Sequence, residues 1–130
     1  MDAGKHMALL DFGPTQIRRD GHERYSVGIK IFNRSDSPVT DVAMTIIVHL
    51  IREPDVLGIF PQLKNATIPS NRVQECSFNI SLTSLFRGDK QYKPSPMDNV
   101  YDQVEFELIL QYRDQDGFLR NERQMIVHSN

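Results

Sequence analysis

Apolar side chains alternate with polar ones over most of this chain, and the period of two marks strands. Tyr25, Val27, Ile29 and Ile31 interleave with Ser26, Gly28, Lys30 and Phe32. Val42, Met44, Ile46, Val48 and Leu50 form one face of the next segment. Its other face, Ala43, Thr45, Ile47, His49 and Ile51, is also mostly apolar, which predicts a central strand. Asn33-Arg-Ser-Asp-Ser-Pro38 between them is rich in turn formers and suits a link between antiparallel neighbours. Cys76, Phe78, Ile80 and Leu82 point inward against outward Ser77, Asn79, Ser81 and Thr83. Val104, Phe106, Leu108, Leu110 and Tyr112 do the same against Glu105, Glu107, Ile109 and Gln111.

Asp114-Gln-Asp-Gly117 predicts a tight hairpin, with Gly117 supplying positive φ. The returning strand runs from Phe118 to about Val127. Weaker strands are expected around Ala8–Phe12 and Thr15–Arg19, broken at Gly13-Pro14, and another around Lys64–Ile68 ahead of Pro69-Ser-Asn71. No segment has a helical repeat. Pro54–Leu63 comes nearest, but two prolines and Gly58 limit it to one turn. About seven short strands punctuated by turns predict an all-β, immunoglobulin-like antiparallel β-sandwich.

Two links exceed what a hairpin requires: Arg52–Lys64 and Arg87–Val100. Long loops carry contacts more often than strands do, so the candidate partner-contact residues come from them and their flank: Phe60, Arg87, Asp89, Tyr92, Lys93 and Tyr101. Lys90-Gln-Tyr-Lys-Pro-Ser-Pro-Met97 is stiff and offers Tyr92 as an aromatic anchor. If both loops reach one end of the sandwich they form a single patch; otherwise Phe60 and Tyr92 plug the ends of the core.

Composition narrows the function classes. The 130 residues suit one domain, here 8–130 after a leader, 1–7, whose Gly4-Lys-His-Met7 has the look of a cloning remnant. Net charge is −2 with scattered Lys and Arg, so the basic footprint of a nucleic-acid binder is missing. No apolar run approaches the length of a membrane span, and the N-terminus has no signal-peptide core, which leaves localisation open. With one cysteine, Cys76, no intrachain disulfide forms.

Candidate chemistry is sparse. His6, His22, His49 and His128 have no metal-ligand spacing. Asp114 and Asp116 lack the frame and closing Glu of a calcium loop, and a hairpin turn accounts for them. Cys76 lies in the apolar phase of its strand, where a thiol is inert. Glu105 and Glu107 could pair as acid and base, but neighbours two apart on a strand more often form a solvated face. No catalytic site, cofactor or metal is expected. Arg87-Gly-Asp89 has the form of an integrin-recognition tripeptide, with a turn at Gly88 as its structural reading. Asn33, Asn65 and Asn79 head N-x-S/T sequons, and Asn79 is expected to face outward.

Val27-Gly-Ile-Lys-Ile-Phe-Asn-Arg-Ser-Asp-Ser-Pro-Val-Thr-Asp-Val42 resembles the strand, Asn-x-Ser, turn and Val-Thr-Asp-Val opening of adaptin-ear-type and cell-adhesion-related archaeal and bacterial sandwich domains. Ile68-Pro-Ser-Asn71 and Tyr112-Arg-Asp-Gln-Asp-Gly117 agree with that layout over residues 15–127. The resemblance implies a non-catalytic recognition module appended to a larger protein or assembly. It does not extend to the peptide-binding patch of adaptin ears, and the Cys…Trp…Cys core of antibody domains is absent. The expected function is protein–protein interaction through the two long loops or by strand addition at an exposed edge, the latter also a route to oligomers. A carbohydrate- or surface-binding module is the alternative, with Tyr92, Tyr101, Tyr112 and Phe60 as its only available aromatic platform.

Overall fold

The computed structural model describes residues 9–12, 16–20, 24–51, 55–92 and 104–128. They form ten strand segments: β1 (Leu10–Phe12), β2 (Gln16–Asp20), β3 (Arg24–Asn33), β4 (Val39–Leu50), β5 (Val56–Ile68), β6 (Val73–Ser81), β7 (Phe86–Arg87), β8 (Lys90–Gln91), β9 (Val104–Arg113) and β10 (Leu119–His128). All pairings are antiparallel. In one sheet β1 and β2 lie along one side of β3, opposite its two halves, and β6 lies along the other. The second sheet has the order β10-β9-β4-β5. The leader at 1–7 and the Gly13-Pro14 break lie outside the described residues.

The two sheets face each other across the residues that the alternation assigns inward. Tyr25, Val27, Ile29 and Ile31 of β3 meet Val42, Met44, Ile46 and Val48 of β4 and Val104 through Tyr112 of β9; all are buried. Tyr25 and Phe106 join the layers edge to face, with ring centroids 5.1 Å apart and planes at 76°. Burial of this apolar surface is the main force holding the layers together, at about 25 cal/mol per Å². β4 is indeed central, between β9 and β5.

The segment Arg52–Lys64 departs from the sequence reading. It is not a long loop: from Val56 onward it is strand β5, continuous to Ile68 and paired with β4. Pro61 is tolerated because β5 is an edge strand with one neighbour. The ladder bends through four register shifts, and these erase the period of two. At two of them a residue takes left-handed backbone, Asp41 at φ 55° and Asn65 at φ 51°. Gly58 is required by space: a Cβ there would stand 2.5 Å from the Phe60 ring.

The third strand begins and ends earlier than expected, running from Val73 to Ser81. β6 ends at Ser81, whose Oγ accepts from the Thr83 amide (3.3 Å) and caps a single 3-10 turn, Leu82–Ser84. The chain then enters a two-residue hairpin, β7–β8, turning at Gly88 (φ 66°) and Asp89. The last hairpin has the expected form: Gly117 sits at φ 84°, and the Asp114 amide donates to the Phe118 carbonyl at 2.9 Å. Asp114 organises it. Its Oδ1 accepts from the Asp116 and Phe118 amides and its Oδ2 from Arg120 Nε, all at 2.9 Å. The Arg120 bond is the chief reason its carboxyl titrates below the usual range.

Asn33 is the principal buried polar residue, at 3 % exposure. Its Nδ2 donates to the carbonyls of Ser37, Ile68 and Pro69 (3.0, 2.8 and 3.1 Å), and its Oδ1 accepts from Ser35 N and Oγ (2.8 and 2.7 Å). One side chain thereby ties the end of β3, the following turn and the β5–β6 link, joining the two sheets at one pole. Burial is affordable only because each polar atom is satisfied. The fully used amide also removes Asn33 as a glycan acceptor in the folded protein. Asn65 and Asn79 are exposed.

Candidate protein-docking site

The two segments read as long loops do converge. Arg87 of β7 donates from Nε to Asp55 Oδ2 at 2.8 Å, which pins the β7–β8 hairpin against the start of β5. Leu85, fully buried, leads into the hairpin and lies beside Gly58, where a Cβ would approach its Cδ2 to 3.3 Å. The Tyr92 amide donates to the Leu85 carbonyl at 2.9 Å and closes the base of the hairpin. This corner is a rigid construction, since each side of the hairpin is tied to the core.

The residues it presents are not quite those the sequence nominates. Tyr92 is buried at 9 % exposure, so it anchors the hairpin from within and offers no contact surface. Phe60 is half-buried, folded over Gly58 and packed on the core. Arg87 and Asp89 are exposed, on either side of Gly88, and the Arg87 guanidinium is engaged by Asp55. Lys93 and Tyr101 lie outside the described residues. The apolar groups that reach solvent are Val56 (49 % exposed), Ile59 (60 %) and Phe86 (45 %), two from β5 and one from β7.

Their exposure follows from pairing. Ile59 stands opposite Ile47, and Val56 opposite His49, and both partners belong to the outer phase of β4. The sequence reading places both in a long loop; it is the register with β4 that sets them on the outer face of a strand. Across the same outer face, Ile47 pairs with Glu107 and Glu107 with Met125, itself 47 % exposed. The apolar row is thus interrupted by charge. Glu107 binds Arg123 NH2 at 2.9 Å, and Glu105 meets His49 Nε2 at 3.5 Å. Each glutamate has its own cationic or imidazole partner.

Cys76 is buried on β6, and burial pushes its thiol above the ordinary range, so it is a poor nucleophile. Among the described residues no cluster of three or more His, Cys, Asp or Glu could hold a metal, and no helix is long and apolar enough to cross a membrane. The aromatic platform imagined for a carbohydrate ligand is not available from the described residues: Tyr112 is fully buried, Tyr92 nearly so, and Phe60 leans inward. Tyr112 has a structural use, since its hydroxyl donates to Glu122 Oε2 (2.9 Å) and accepts from the Leu9 amide (3.2 Å).

A second concavity lies on the outer face of the other sheet. The missing side chain of Gly28 leaves a shallow groove of about 310 Å³ among Gln16, Arg18, Ser26, Ser77 and Asn79. The Ser26 hydroxyl bridges it by donating to Asn79 Oδ1 at 3.2 Å. Val27 and Phe78 complete its lining, so its walls are mixed polar and apolar.

No family model and no curated protein matches the chain. Among solved structures it is similar to a structural-genomics target designated SoR45, with TM-score 0.60 and 9 % identity over 94 % of this chain and 87 % of that one. It is also similar to Spo0M, a sporulation control protein from Bacillus subtilis, with TM-score 0.50 and 11 % identity over 92 % of this chain and 49 % of that one. At such identities the likeness defines a fold, an open all-β antiparallel sandwich. This chain spans most of the first neighbour and about half the length of the second.

Proposed function

We propose that this immunoglobulin-like sandwich is a non-catalytic module that recognises a protein partner through the corner where the β7–β8 hairpin meets β5. The observation that carries the reading is the solvent exposure of Val56, Ile59 and Phe86 on two segments locked together by Asp55–Arg87. Exposed apolar groups on a rigid frame lose little conformational entropy on binding, and Phe86 has the character of an anchor residue. Charged Arg87, Asp89 and Lys90 surround them as a polar rim. The accessory character of the module is supported by Spo0M, where a sandwich of this kind spans about half of the chain. The resemblance to adaptin-ear and adhesion-type sandwiches points the same way.

Selection from a displayed peptide library tests this, with the intact protein as bait and Ile59→Asp as counter-bait. Peptides with apolar anchors that bind the native protein and lose at least tenfold in affinity for Ile59→Asp and Phe86→Ala are expected. Peptides indifferent to both substitutions would refute the location. Specific binding on a glycan array, with no peptide enriched, would refute the class of partner.

A further inference from the structure

We propose that β6 is a self-association edge, along which two copies of the chain pair antiparallel about a two-fold axis at Ser77. The inference rests on β6 alone and is independent of the docking corner, which is built from β5 and the β7–β8 hairpin.

A sheet edge is a row of unpaired amides and carbonyls, and proteins usually blunt it with charge, proline, bulges or brevity. Three edges here are blunted in that way. β5 has Pro61, Lys64 and four register shifts. β1 and β2 are short, and β2 has Arg18, Arg19 and Asp20. β10 has Arg120, Glu122 and Arg123. β6 has none of these devices. Its nine residues, Val73–Ser81, pair with β3 in unbroken register from Arg24↔Ser81 to Phe32↔Val73, without a bulge. Among the described residues β3 is its one ladder partner, and Glu75 is its one charge.

The strand is also complementary to itself. In a two-fold antiparallel pair residue i meets j and j meets i. With Ser77 on the axis all of β6 is used: Val73 opposes Ser81, Gln74 Ile80, Glu75 Asn79 and Cys76 Phe78. The two Glu75 carboxylates stay apart, each facing a neutral Asn79 amide. Phe78, half-buried at the rim of the core, is covered by the partner's Cys76 edge. The two halves, each three strands wide, become one continuous sheet.

Geometry supplies the test. Directly opposed residues of an antiparallel pair have Cα atoms about 4.5 or 5.5 Å apart, within the disulfide range of about 4.4–6.8 Å. In a Cys76→Ala background, Ser77→Cys is therefore expected to give a disulfide dimer under mild oxidation. Asn79→Cys, which faces Glu75, is expected to give far less. Sedimentation of the native protein should show a concentration-dependent dimer that Ser77→Lys abolishes, with the circular dichroism spectrum unchanged. A native protein that stays monomeric at its highest attainable concentration overturns the proposal. So does crosslinking through Asn79→Cys as efficient as through Ser77→Cys.

Discussion

Replacing Asn33 by alanine removes five hydrogen bonds at once. Three of them, to Ile68 O and from Ser35 N and Oγ, are buried, and two, to Ser37 O and Pro69 O, are partly buried. Water can take over the partly buried partners, so the cost concentrates in the buried ones. Each typical bond contributes about 1 kcal/mol net, and a buried partner left unsatisfied costs about 1–3 kcal/mol. A loss of about 3–5 kcal/mol follows, a large share of the stability of about 5–15 kcal/mol usual for a domain. With a urea slope of about 2 kcal/mol per molar, the midpoint falls by about 2 M. Asn33→Asp is worse at neutral pH, because it sets a carboxylate oxygen against the carbonyls that Nδ2 now serves. Burial would hold the introduced carboxyl above the usual aspartate range. Its penalty therefore grows as pH rises through that range and eases in acid. Urea titration followed by circular dichroism, at neutral and mildly acidic pH, reads both effects. A shift below about 0.5 M for Asn33→Ala, or equal behaviour of the two variants at neutral pH, would refute the assignment of Asn33 as the polar tie between the sheets.

Four further outcomes are expected. Tyr112→Phe loses the bonds to Glu122 and from Leu9 and should cost about 1–2 kcal/mol by the same denaturation assay. Asp114 titrates lower in the folded chain than in the unfolded one, so its contribution is present above about pH 4 and fades as pH falls through the depressed folded value. The gap in melting temperature between native protein and Asp114→Asn should close accordingly. The Cys76 thiol should react slowly with a disulfide reagent at neutral pH and rapidly once urea unfolds the chain. Ile59→Asp should change stability by no more than about 0.5 kcal/mol, as for other surface positions, while abolishing partner binding.

Much of the fold was legible because alternation survives wherever a strand pairs regularly. β3, β4 and β9 bury the residues that the pattern assigns inward, and β6 buries Cys76 and Ile80 and half-buries Phe78. The Lys64–Ile68 end of β5 was legible, but Val56–Leu63 was not, for a physical reason: bulges beside Asn65 and Asp41 slip the phase, and Gly58 and Pro61 imitate a loop. The sequence left open whether the two long links converge or whether Phe60 and Tyr92 plug the ends of the core, and which side chains they expose was not legible. Tyr92 sits among lysines and prolines, where composition suggests a surface; its burial depends on the hairpin folding back through Leu85. Val56 and Ile59 read as loop residues until the register with β4 is known. Asn33 read as a turn residue and a sequon, because nothing local announces that Ile68 and Pro69 will bring their carbonyls to it.

Hydrogen–deuterium exchange of the native protein, alone and saturated with a selected peptide, tests the docking account most directly. Slowed exchange confined to residues 55–60 and 85–91 is the result expected. Protection centred instead on the groove around Gly28, with residues 55–60 and 85–91 unaffected, would contradict it.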